Sequence, residues 1–301
     1  MRWGRGYFAL QALAGAAWWI GVFSSPFVRE TTLGSLDPVI VALFDIPLFV
    51  LGSAIAACGV KPAAIVAAGW TTVVAIALAG YATVTTEAGW GVLIMIAAAG
   101  ASILAAFLVV LGRIPTELIT AGPFAFRTAK KRSSAAPHVA ATLTQLVFFW
   151  GFFLVVLPLI IAFLEQRWRV GLDLPGFLTV IGIGILVLAS TLGLWSAFAM
   201  STLGGGTPLP SAMPSSLVVA GPYRWVRNPM AVAGITQGIG VGLLLSSWLV
   251  VAYAIVGSIL WNYAVRPLEE NDLEQRFGDE FRAYRRSVRC WIPRIPVRSA
   301  T

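Results

Sequence analysis

Apolar runs of about 20 residues recur from one end of this chain to the other, and nothing else constrains its fold as strongly. "WGVLIMIAAAGASILAAFLVVLG", residues 90–112, is one of them. A run of that length and hydropathy belongs in a bilayer. Lipid offers no water to an unpaired backbone group, so a spanning segment must be a helix or part of a closed barrel. These runs are continuously apolar and do not alternate, which selects helices. Composition agrees: 58% of the residues are hydrophobic and 11% are charged, against about 25% charged in a soluble domain. The expected fold is all-α, a polytopic helical membrane protein.

Eight apolar segments are expected, near 8–27, 38–59, 62–84, 90–112, 139–164, 175–200, 231–245 and 247–265. The last two are short and meet at Ser246-Ser247-Trp248, as a tight helical hairpin. The basic, apolar start resembles a signal peptide, but Trp18-Trp19 is bulky for a signal core and the segment reads as an uncleaved first span. With the N-terminus inside, Arg2, Arg5, Lys61, the cluster Arg127, Lys130, Lys131 and Arg132, then Arg224, Arg227 and the Arg-rich tail are all cytoplasmic. Glu87 falls outside. Arg167 and Arg169 are the exceptions to the rule. Both termini are thus expected in the cytoplasm, and the Ala/Gly/Val richness suggests a bacterial plasma membrane.

The net charge of +8 gathers beside the spans, where it orients the chain and meets anionic lipid, so nucleic acid is not an expected partner. The single histidine, His138, and two distant cysteines, Cys58 and Cys290, offer neither a metal site nor a disulfide framework. The polar stretch 113–137 divides the chain. Residues 1–125 form a four-helix membrane region of unassigned role, 126–138 a basic linker, and 139–301 hold nearly all the organised polar chemistry.

That chemistry lies in two clusters bracketing the hairpin. The first is "GPYRWVRNPM", residues 221–230; the second is Arg266 with Glu269 and Glu270. A hairpin returns the chain to its starting side, so both clusters should meet at the cytoplasmic surface. Guanidiniums, carboxylates and aromatics together suit a small zwitterion. Each element also has a plainer explanation: a turn at Gly221-Pro222, inside-facing arginines, interfacial aromatics, and acids at a helix start. Beyond them, Leu273, Phe277, Phe281, Tyr284 and Val288 recur at steps of three and four, one apolar stripe of an amphipathic tail helix. Pro267 suits its first turn, Glu269, Glu270 and Asp272 its positive end, and Arg282, Arg285, Arg286 and Arg289 its negative end.

In order and spacing, "GPYRWVRNPM", the hairpin, "EENDLEQRFGDEFRAYRRSV" and "WIP" resemble the isoprenylcysteine carboxyl methyltransferase and phospholipid methyltransferase group of integral membrane enzymes. The matching positions are Gly221, Pro222, Tyr223, Val226, Arg227, Pro229 and Gly234, then Glu269, Glu270, Leu273, Phe277, Gly278, Tyr284, Val288, Trp291 and Pro293. "GGGTPLP", residues 204–210, looks like the segment preceding the motif in bacterial members. Asn228 departs from the usual His, Ala231 from an aromatic and Phe281 from a Tyr. The first four spans match nothing comparable.

The resemblance implies an S-adenosylmethionine-dependent methyltransferase acting at the cytoplasmic face on a membrane-embedded lipid or isoprenoid-like acceptor. The implied cofactor residues are Gly221, Pro222, Tyr223, Arg227, Asn228, Pro229, Glu269 and Glu270, with Arg224, Arg266 and Glu270 at the reacting centre. Methyl transfer needs alignment and exclusion of water, not a covalent nucleophile or a metal. Glu269 and Glu270 suit an ammonium, Arg227 a carboxylate, and Tyr223 or Trp225 a sulfonium. An NADPH-dependent reductase of the sterol and steroid reductase type, with a similar tail, is one alternative. A transporter or scaffold is another, resting mainly on Asp45 within a span.

Overall fold

The structure is a computed structural model, and it describes residues 2–116, 144, 146–204 and 216–293. The basic linker 126–138, His138 and most of the glycine-rich 204–210 stretch lie outside the described residues. The fold is all-helical, with no strand among the described residues. Seven helices are long and apolar enough to cross a membrane. An eighth, Pro229–Leu244, has 16 residues, about 24 Å at 1.5 Å per residue, short of a hydrocarbon core of about 30 Å. The chain divides into two compact units, Met1–Pro115 with Leu164–Gly171, and Thr116–Phe163 with Leu172–Thr301.

The first unit is built from Arg2–Ser24, Pro38–Ala57, Lys61–Thr85 and Gly89–Val110. The first helix ends three residues earlier than its apolar run. Ser25 accepts from the Val28 N–H and Pro26 starts a separate helix, Pro26–Thr32, as a serine cap and first-turn proline favour. Small residues let the spans approach: Ala56, Ala64, Ala67 and Ala105 pack on Phe8, and a Cβ on Gly91 would collide with the Thr32 carbonyl. Buried polar groups tie the helices. Gln11 donates to Ser53 Oγ (3.0 Å) and accepts from Ser102 (2.7 Å). Trp19 and Trp70 donate to the two oxygens of Asp45. Arg167, an exception to the charge rule, donates to the carbonyls of Thr83 (2.6 Å) and Val84 (2.7 Å). It satisfies the last turn of Lys61–Thr85, whose carbonyls have no partner within that helix.

In the second unit, Phe177–Leu203 packs on Pro229–Leu244 through glycines. A Cβ on Gly240 would lie 3.0 Å from the Gly182 carbonyl oxygen, and Gln237 donates to Ser190 Oγ at 3.0 Å. The expected hairpin is present: Ser246 takes a positive φ of 51°, and Ser247 caps Trp248–Leu260 through the Val250 N–H.

The tail differs from its sequence reading. Helical backbone runs on from Trp248 through a π-helical stretch, Trp261–Val265, into Arg266–Ser287. Pro267 therefore starts no helix, and Glu269, Glu270 and Asp272 do not sit at a free positive end. The π turn just before Pro267 accommodates a residue without an N–H. Gly278, at φ 52° and ψ −122°, then breaks the helical path, so the apolar stripe is shared between two helical pieces.

Candidate functional site

The opening motif begins at Gly221, whose φ of 58° lies in the left-handed region that glycine enters without penalty. It leads into one 3-10 turn, Gly221–Arg224, that buries Pro222 and Tyr223. Asn228 then caps Pro229–Leu244, its Oδ1 accepting from the Ala231 N–H at 3.1 Å. Pro229 follows at the first helical position, where a missing N–H costs nothing.

The second motif comes to meet the first. Asn228 Nδ2 donates to Glu269 Oε2 at 3.4 Å. Arg227 Nη1 lies 3.2 Å from Glu270 Oε1, and Arg266 Nη1 lies 3.7 Å from the same oxygen. The end of the tail closes the arrangement. The Tyr284 hydroxyl donates to the Tyr223 carbonyl at 2.6 Å, and the Arg227 N–H donates to the Arg289 carbonyl at 2.9 Å. Trp291 Nε1 donates to Asn262 Oδ1 at 2.8 Å, and its ring meets Trp261 edge-on.

These contacts enclose a cavity of about 80 Å³, lined by Met200, Ser216, Leu217, Val218, Tyr223, Arg227, Asn228, Met230, Glu269, Leu273, Phe277 and Tyr284. Of the residues expected at the site, Tyr223, Arg227, Asn228 and Glu269 line it. Gly221, Pro222 and Pro229 shape the turn beneath them. Glu270 and Arg266 do not line it; Glu270 engages both guanidiniums instead. Arg224 and Trp225 are exposed and do not line it either. Sequence reading missed Met200, Met230, Ser216 and Asn262. Only Asn262, polar in an otherwise apolar run, carried a local signal.

The electrostatics are unbalanced in an informative way. Burial, with the Glu270 carboxylate next in effect, pushes the Glu269 carboxyl up to about 7. Burial also pushes the Tyr223 hydroxyl far up, so it stays a neutral donor. Arg227 Nε and Nη1 are buried and make no hydrogen bond among the described residues, the Glu270 contact being an ion pair without hydrogen-bond alignment. A buried donor without an acceptor is costly. The cavity thus presents guanidinium donors without acceptors among the described residues on one side and a carboxyl raised by burial on the other.

Residues 177–280 match the phospholipid methyltransferase family model. That family belongs to the isoprenylcysteine and phospholipid methyltransferase group, so the resemblance read from the motifs holds. No curated protein matches the chain. The match covers Phe177–Leu203, both arms of the hairpin, and the tail through Gly278, and it points to a membrane methyltransferase. The motif resemblance implies S-adenosylmethionine as the methyl donor. The residues present fit one end of such a cofactor: an α-amino acid head carries a carboxylate that can accept from the unbonded Arg227 donors and an ammonium that would relieve Glu269.

Proposed function

We propose that this protein is an S-adenosylmethionine-dependent methyltransferase acting on a membrane-embedded lipid or isoprenoid-like acceptor at the cytoplasmic face. The observation that carries the reading is the meeting of two motifs some 40 residues apart, Asn228 with Glu269 and Arg227 with Glu270, beside a cavity lined by guanidinium donors without acceptors among the described residues. In this reading Arg227 holds the cofactor carboxylate and Glu269 its ammonium. Glu270 keeps Arg227 and Arg266 in place, and Tyr223 closes the floor. The bound cofactor supplies a methyl group on a sulfonium, which leaves as a neutral thioether. The protein's part is to hold that methyl in line with the acceptor's lone pair and keep water out. An amine acceptor would also give up a proton; a carboxylate acceptor would not.

Residues 139–301 form the methyltransferase region in this proposal, and 1–125 an accessory membrane region. The positive-inside pattern supports cytoplasmic termini and cytoplasmic entry for the soluble cofactor, in a bacterial plasma membrane. Arg227→Ala is the direct test, read by calorimetric titration of S-adenosylhomocysteine into detergent-purified protein. It should bind at least about thirtyfold more weakly, the cost of stranding a buried charge partner, at unchanged helical content. Unchanged affinity would remove Arg227 from the cofactor site.

A further inference from the structure

A second cavity lies in the first unit and is lined by residues of the first four spans and the short helix between them. It measures about 730 Å³, inside the range of about 300–1,000 Å³ that small-molecule sites occupy. It runs from Tyr7 to Trp18 along the first helix and from Trp70 to Tyr81 along another, about 16 Å in each case at 1.5 Å per residue. Its walls are almost wholly apolar. Six aromatic residues line it, Tyr7, Trp18, Phe44, Phe49, Trp70 and Tyr81, together with one acid, Asp45.

Asp45 is what a simple lipid groove does not need. It is buried to 5% exposure, in mid-span where the helix Pro38–Asp45 passes into the π-helical stretch Ile46–Leu51. Trp19 donates to one of its oxygens and Trp70 to the other, both at 2.9 Å. Two accepting oxygens are the pattern of a carboxylate. No cation pairs with it among the described residues. An unbalanced acid in a span is costly, and such residues mark ligand sites. Aromatic faces and a carboxylate in one apolar chamber are the chemistry that recognises an organic ammonium.

We propose that the first unit binds an amphipathic organic cation, a hydrocarbon chain bearing an amine or quaternary ammonium, with the chain in the cavity and the ammonium against Asp45. The site is separate from the motifs discussed above and does not depend on their reading. The probe is radiolabelled dodecylamine, bound to the full-length protein in nonionic detergent and competed with unlabelled dodecylamine, dodecyltrimethylammonium or dodecanol. Both cations should compete saturably, and the alcohol at least about tenfold more weakly. Asp45→Asn should erase that preference. Ala77→Trp, which adds bulk to the cavity wall two turns from Trp70, should weaken binding of both cations at least about tenfold. Equal competition by dodecanol, or an unchanged preference in Asp45→Asn, would overturn the proposal. If Asp45→Asn does not fold, the cation-to-alcohol ratio on the unaltered protein decides.

Discussion

Asn228 stands where the resembling family usually has histidine, and its amide makes two contacts there. Its oxygen caps a helix while its nitrogen donates to Glu269, two bonds a single side-chain amide can make at once. Asn228→Ala should lower stability by about 1 kcal/mol through the lost cap and weaken cofactor binding through Glu269; thermal unfolding and calorimetry read the two effects apart. Glu269 supplies a pH dependence whose sign follows from its carboxyl being pushed up to about 7. Below that value it is neutral and cannot pair with an ammonium; above it, it is charged and can. Cofactor affinity should therefore rise by about tenfold between about pH 6 and about pH 8, and Glu269→Gln should flatten the profile. In the unliganded protein the same group acts oppositely. The native state keeps a proton that the unfolded chain releases, so stability falls as pH climbs from the ordinary carboxylate range through about 7. The sequence singled out Glu269 and Glu270 as a pair but could not divide their roles. Adjacent helical residues point about 100° apart, so one reaches the arginines while the other faces the cavity.

At the scale of elements, the tail is the part to perturb. Gly278 holds a backbone conformation, φ 52° and ψ −122°, that side-chain-bearing residues rarely adopt, although a Cβ there would meet open space. Gly278→Ala should therefore cost about 1–3 kcal/mol by strain alone, and a straightened tail would carry the Tyr284 hydroxyl off the Tyr223 carbonyl, seen as a lower thermal midpoint and weaker cofactor binding. The spans themselves were legible because hydrophobic length is a local property. The hairpin was legible from its short arms and serine turn. The run of helix through Trp261–Val265 was not, because a π turn is a matter of backbone register that no residue type announces. Nor was the break at Gly278, where a glycine in a polar helical pattern has no local mark of its conformation.

For the whole molecule, Arg167, one of the two exceptions to the expected charge pattern, has a packing role. Its guanidinium closes the end of Lys61–Thr85, with Trp168 Nε1 donating to Thr83 Oγ1 beside it at 2.9 Å. That pairing joins residues more than 80 positions apart, which no local pattern can show. Arg167→Ala should lower the thermal midpoint while leaving cofactor affinity within about twofold, since independent sites are nearly additive. The motif half of the chain was legible because its chemistry repeats a known spacing, and residues 177–280 match the phospholipid methyltransferase family model. The first unit's cavity was not legible, because it is made by helices that share no motif; only Asp45 hinted at it. The central claim is that the cavity between Arg227 and Glu269 belongs to an S-adenosylmethionine site. Calorimetric titration of the purified protein with S-adenosylmethionine, S-adenosylhomocysteine and NADPH tests it most directly. The first two should bind with similar stoichiometry and NADPH should give no heat; binding of NADPH alone would contradict an S-adenosylmethionine site and favour a reductase.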